Sequence, residues 1–185
     1  LEVSSSHVQL DGTESELRYI ADMDGVRSLS VYSEAQTLMR GLYGRQQGVL
    51  VRFVENDVAE KDEGFAKSAE VIDGSFDVAE PGTVVLGYYL AQLLGVGVGD
   101  SVTVLAVSGD SSTDIFPENA TLNVAGLVRT GYYAIDSTFA FVSRDSGLLG
   151  NEDGSNGEVK TLHAGVKLDD LNRDRQFMER LATAY

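Results

Sequence analysis

Pro81-Gly82-Thr83-Val84-Val85-Leu86-Gly87-Tyr88-Tyr89-Leu90-Ala91-Gln92-Leu93-Leu94-Gly95-Val96-Gly97-Val98-Gly99-Asp100-Ser101-Val102-Thr103-Val104 is the stretch whose reading decides the fold. Thr83–Leu86 is β-branched and apolar, the composition of a buried strand. From Leu86 the apolar residues recur at helical spacing through Leu90, Leu93 and Leu94, so the period changes near Gly87. Gly95, Gly97 and Gly99 end that helix and permit positive φ in the turn. Val102 and Val104 resume a period of two, with Thr103 on the other face. Walker A and dinucleotide fingerprints need a strand-to-helix step at their glycines, whereas here the helix comes first. The block is architecture, with no nucleophile, metal cluster or phosphate loop.

Two blocks carry a resemblance. The first stands as Val85-Leu86-Gly87, Leu90-Ala91, Leu94-Gly95-Val96 and Gly99-Asp100-Ser101-Val102. The second stands as Val124-Ala125-Gly126-Leu127-Val128, Thr130-Gly131-Tyr132, Asp136-Ser137 and Ala140-Phe141-Val142-Ser143. In this order they resemble the extracytoplasmic (periplasmic core) domain of LolC/LolE–MacB-type ABC transporter permeases. The resemblance is close over residues 81–145 and looser in the flanks. One departure lies at Val49–Val54, where many relatives place a strand-end glycine before an acidic-proline step. This chain has Arg52-Phe53-Val54-Glu55-Asn56-Asp57 and no proline there.

The resemblance implies a domain without chemistry of its own, on the periplasmic face of a bacterial inner membrane. It implies transmembrane helices on both sides of the domain, a partner permease, and ATP hydrolysis by a separate cytoplasmic subunit or domain. Leu1–Leu10 has no basic n-region followed by an apolar core, and no run approaches a membrane span, so we expect an excised soluble domain.

Composition is consistent with this setting. The chain has 185 residues, enough to bury a core, with 43% apolar and 23% charged residues. Fourteen basic residues against 29 acidic ones give a formal net charge of −15, which repels nucleic acid and anionic headgroups. The absence of cysteine excludes disulfides, thiolate metal sites and cysteine nucleophiles.

The expected fold class is α+β. Val8–Leu10 closes a first strand, and Thr13-Glu14-Ser15-Glu16 is a capping box opening a helix to Met23 that buries Leu17, Ile20 and Ala21. Val26–Val31 reads as a strand continuing through Ala35–Arg40, with a turn over Gly41–Gly48 and a return strand over Val49–Val54. Val159–Leu168 reads as a strand and Asp169–Thr183 as a helix burying Leu171, Phe177, Met178 and Leu181. The two ends together predict a split ferredoxin-like βαβ layer, its last strand falling beyond Tyr185. The expected division is a discontinuous porter-like α/β subdomain (1–56 and 155–185), a connecting helix or loop (57–74), and an inserted β-rich, sabre-like subdomain (75–150).

No cofactor or metal is expected, and no catalytic residue. Asn151, Asp153, Ser155 and Glu158 gather oxygens without EF-hand spacing, in a segment that reads as a polar linker. His7 and His163 have no neighbouring ligand pattern, and no serine sits in a Gly-x-Ser-x-Gly elbow. Asn119-Ala120-Thr121 matches the glycosylation sequon, which carries little meaning if the source is bacterial, as the resemblance implies.

The working surface is expected in the loop Ser108–Asn119, longer than a hairpin needs and carrying Ile115, Phe116 and Pro117 at a polar tip. In lipoprotein-releasing permeases the corresponding loop is a hook that recruits the periplasmic lipoprotein chaperone. That resemblance favours lipoprotein release over macrolide-type efflux, with a chaperone or lipoprotein cargo as partner. The competing reading folds Ile115 and Phe116 back onto their own sheet. Tyr132 and Tyr133, with Ile135, form a second aromatic-apolar cluster, either packing at a strand corner or contacting a partner. Asp136 reads as an acceptor for nearby turn N–H groups. Two other functions remain: an FtsX-like signalling module activating cell-wall hydrolases, and an independent hydrolase using scattered carboxylates.

Overall fold

The computed structural model describes residues 7–9, 26–61, 69–105, 119–146 and 163–168. The helices expected over 13–23 and 169–183, the 108–118 part of the long loop, and the linker around Asn151–Glu158 lie outside them. Contacts divide the chain into two compact units, residues 1–31 with 161–185, and residues 32–160.

In the first unit, β1 (His7–Gln9) pairs antiparallel with β9 (His163–Leu168), placing His7 opposite Gly165 and Gln9 opposite His163. β9 also neighbours β2 (Val26–Arg40), whose residues 26–31 belong to this unit. The strand expected to begin at Val159 is described from His163 onward.

The second unit is built on a closed ring of six strands. β2 pairs antiparallel with β3 (Gln46–Val54), from Tyr32 opposite Val54 to Arg40 opposite Gln46. β3 runs parallel to β8 (Phe139–Ser143), which is antiparallel to β5 (Thr83–Gly87). β5 runs parallel to β7 (Ala120–Arg129), and β7 is antiparallel to β6 (Ser101–Leu105). β6 then closes the ring on β2, with Leu38 opposite Leu105 and Arg40 opposite Thr103. Residues 32–54, which the sequence grouped with the chain ends, supply two of these strands.

Alternation sorts side chains to the two faces of this barrel. Val49, Val51 and Phe53 of β3, Val84 and Leu86 of β5, and Val102 and Val104 of β6 point into one buried cluster. Leu122, Val124 and Leu127 of β7 and Ala140 and Val142 of β8 join them. A second cluster lies on the outer face, where Val54, Val85, Val128 and Phe141 meet Val58, Ala69, Val78 and Phe76. β5 is therefore buried on both faces, which is why Val84–Leu86 reads as an unbroken apolar run. The ring of Phe76 meets that of Phe141 edge-on at 5.6 Å.

The outer cover corrects the expected connector over 57–74. After α1 (Val58–Lys61), Glu70–Gly74 forms β4, antiparallel to the second half of β7. Glu70 and Asp73 face solvent and the register shifts between Val71 and Asp73, so no alternating pattern marks this strand. The turn expected over Gly41–Gly48 is also shorter: a 3-10 turn spans Leu42–Gly44 and β3 begins at Gln46.

α2 (Tyr88–Leu94) follows β5 directly and sends Leu90, Ala91 and Leu94 into the barrel cluster. A helix reaches the interior of a closed barrel only through an open end, so α2 closes one mouth. Full burial of Leu90 and Leu94 contributes about 1.5–3 kcal/mol each. Leu93, expected on the buried face, is 38% exposed instead. Gly95 ends the helix at φ 73°, and its N–H bonds back to the helix as expected for a left-handed C-cap. Arg45 Nη1, from the β2–β3 turn, donates to the Gln92 carbonyl at 3.4 Å.

Candidate functional site

The segment between β7 and β8 is a tight corner held by one carboxylate. Thr130-Gly131-Tyr132 leaves β7 and enters the single helical turn α3 (Tyr133–Asp136). Asp136 is 1% exposed. Its Oδ1 accepts from the Thr130 N–H at 2.7 Å and the Thr130 hydroxyl at 2.8 Å, and its Oδ2 accepts from the Gly131 N–H at 3.2 Å. The Tyr132 N–H donates to Thr130 Oγ1 at 3.2 Å. This is the turn-acceptor role that the sequence implied. Gly87 makes the corner close-fitting, because a Cβ there would lie 2.3 Å from the Asp136 carbonyl oxygen.

The corner aims its aromatic residues outward. Tyr132 is 72% exposed and Tyr133 62%. The Tyr133 ring sits 5.1 Å from Tyr89, and Tyr89 sits 5.4 Å from Tyr88. The guanidinium carbon of Arg129 lies 4.4 Å over the Tyr88 ring. Arg129, Tyr88, Tyr89 and Tyr133 thus form one run of ring contacts, from the half-buried Tyr88, which packs against the barrel cluster, out to the exposed Tyr133. Arg129 Nε is buried and has no hydrogen-bond partner among the described residues. Sequence reasoning singled out Tyr132 and Tyr133 and did not connect them with Arg129, Tyr88 and Tyr89, which the structure places in ring contact with Tyr133 or with one another. The Tyr88-Tyr89 pair at the start of α2 was the available signal, since neither residue fits the buried helical stripe.

Ile115, Phe116 and Pro117 lie outside the described residues. The loop's base is defined: β6 ends at Leu105, whose carbonyl accepts from the Thr37 hydroxyl at 2.8 Å, and β7 begins at Ala120.

Two other polar clusters are internally satisfied. Arg52 donates through Nε (2.8 Å) and Nη2 (2.5 Å) to Glu34 Oε1, and stacks over Tyr32 and Phe139 at 4.4 and 4.8 Å. Burial raises the Tyr32 phenol above its ordinary pKa, against the opposing pull of Arg52. The Ser143 hydroxyl donates to Asn56 Oδ1 at 2.6 Å, while Asn56 Nδ2 donates to Asp145 Oδ2 at 3.2 Å. This ties the start of the outer cover to the end of β8. Among the described residues no three His, Cys, Asp or Glu side chains are placed to hold a metal. No helix among them is long and apolar enough to cross a membrane.

No family model matches the chain. Among known proteins it is 30% identical over 142 residues to the lipoprotein-releasing system transmembrane protein LolC of Neisseria meningitidis serogroup B, a match covering 71% of this chain and 32% of that protein. It is 33% identical over 154 residues to the protein of the same name from Xylella fastidiosa, covering 80% of this chain and 36% of that one. The chain thus spans about a third of the length of these relatives. Among solved structures, the extracellular domain of the noncanonic ABC-type transporter YknZ from Gram-positive bacteria shares the fold with a TM-score of 0.59 at 12% identity, over 90% of this chain and 78% of that one. The periplasmic region of MacB from Actinobacillus actinomycetemcomitans does so with a TM-score of 0.56 at 14% identity, over 92% and 72%. The fold shared with these domains and the identity to LolC agree with the order of the 81–104 and 124–143 blocks, and the chain belongs to the LolC/MacB type of periplasmic permease domain.

Proposed function

We propose that the chain is the periplasmic domain of an inner-membrane ABC permease that works in lipoprotein release. The observation that carries this reading is the 30–34% identity to LolC proteins across 71–80% of the chain. ATP hydrolysis belongs to a separate subunit or domain. The periplasmic domain transmits the resulting motion and performs no chemistry. A partner permease completes the membrane part.

In this reading the loop 108–119 is the docking hook for a periplasmic lipoprotein chaperone, with Ile115, Phe116 and Pro117 as its apolar anchors. The loop is long and leaves the barrel between β6 and β7, two strands that are themselves directly paired. Tyr132 and Tyr133 supply a second partner contact, supported by their exposure at a corner fixed by Asp136. The two ends of the chain form a split βαβ layer. Its support is the order β1-β9-β2, which places the third strand between the first two and antiparallel to the first.

Titration calorimetry with the lipoprotein chaperone of the same bacterium tests the hook. Saturable binding is expected, with Phe116→Asp weakening it about tenfold or more, as for a buried aromatic anchor. A chaperone that binds the Phe116→Asp chain equally well removes the hook. A chaperone that does not bind at all removes the lipoprotein-release reading in favour of efflux or FtsX-like signalling.

A further inference from the structure

We draw no further inference here: the strongest candidate, the surface patch at the tip of the β2–β3 turn, where Tyr43 stands 93% exposed at φ 55° beside the exposed Leu42 and Arg45, carries nothing because nothing in the structure shows what covers it.

Discussion

Asp136→Ala is expected to destabilise the chain by about 3 kcal/mol or more, the largest effect of any single polar substitution among the described residues. The carboxylate is buried and accepts from two backbone N–H groups and one hydroxyl. Removing it leaves the half-buried Thr130 N–H and hydroxyl without their acceptor and unties the Gly131 N–H at the exposed edge of the corner, and an unmet donor that water does not reach costs about 1–3 kcal/mol. For a chain of this length the loss corresponds to a fall in melting temperature of about 6–12 °C. Asp136→Asn keeps the shape and one acceptor oxygen, so it should recover part of the loss. Thermal melts of the three chains give the order directly. A melting temperature unchanged in Asp136→Ala would mean that the corner is held by something other than this carboxylate. The same variant should also release Tyr132 and Tyr133 from their fixed placement, linking a stability result to the surface that those residues form.

Gly87→Val is the second large effect, about 3 kcal/mol or more by forced overpacking. The Cβ would sit 2.3 Å from the Asp136 carbonyl oxygen and 2.8 Å from its carbon. Both neighbours are backbone, so no side chain can swing aside. Gly87 also joins β5 to α2, so any shift moves Leu90 and Leu94 out of the barrel mouth. Because Gly87 and Asp136 touch, the double variant Gly87→Val/Asp136→Ala should cost less than the sum of its parts. Chemical denaturation of the single and double variants measures the coupling. Strict additivity, or a Gly87→Val chain as stable as the parent, would contradict the close approach.

Much of the second unit was legible because its strands are strongly one-sided or wholly buried. Val102 and Val104 announce β6 by period two, and the switch at Gly87 marks the boundary of β5 and α2. The role of Asp136 was legible because a threonine-glycine turn lies within one helical turn of it. β4 was not legible. It is an exposed strand carrying Glu70 and Asp73, with a register shift that destroys alternation. Barrel closure was also hidden, since it depends on a three-residue pairing between Leu38–Arg40 and Thr103–Leu105, far apart in sequence. The candidate surface was half legible for a similar reason. Tyr132 and Tyr133 stand next to a turn signal, whereas Arg129 and Tyr88 acquire meaning only when β7 and α2 bring them together. Leu93 misled because helical spacing alone does not separate the last buried position from the first exposed one.

ATP-driven transfer of a lipoprotein from proteoliposomes to the soluble chaperone tests the proposed role of this domain in lipoprotein release. The full-length permease, its partner permease and its ATPase are reconstituted together with a labelled lipoprotein. ATP-dependent appearance of the lipoprotein in the chaperone fraction is expected, reduced about tenfold or more by Phe116→Asp with ATP hydrolysis retained. Intact ATP hydrolysis with no lipoprotein transferred by the unaltered complex would contradict it.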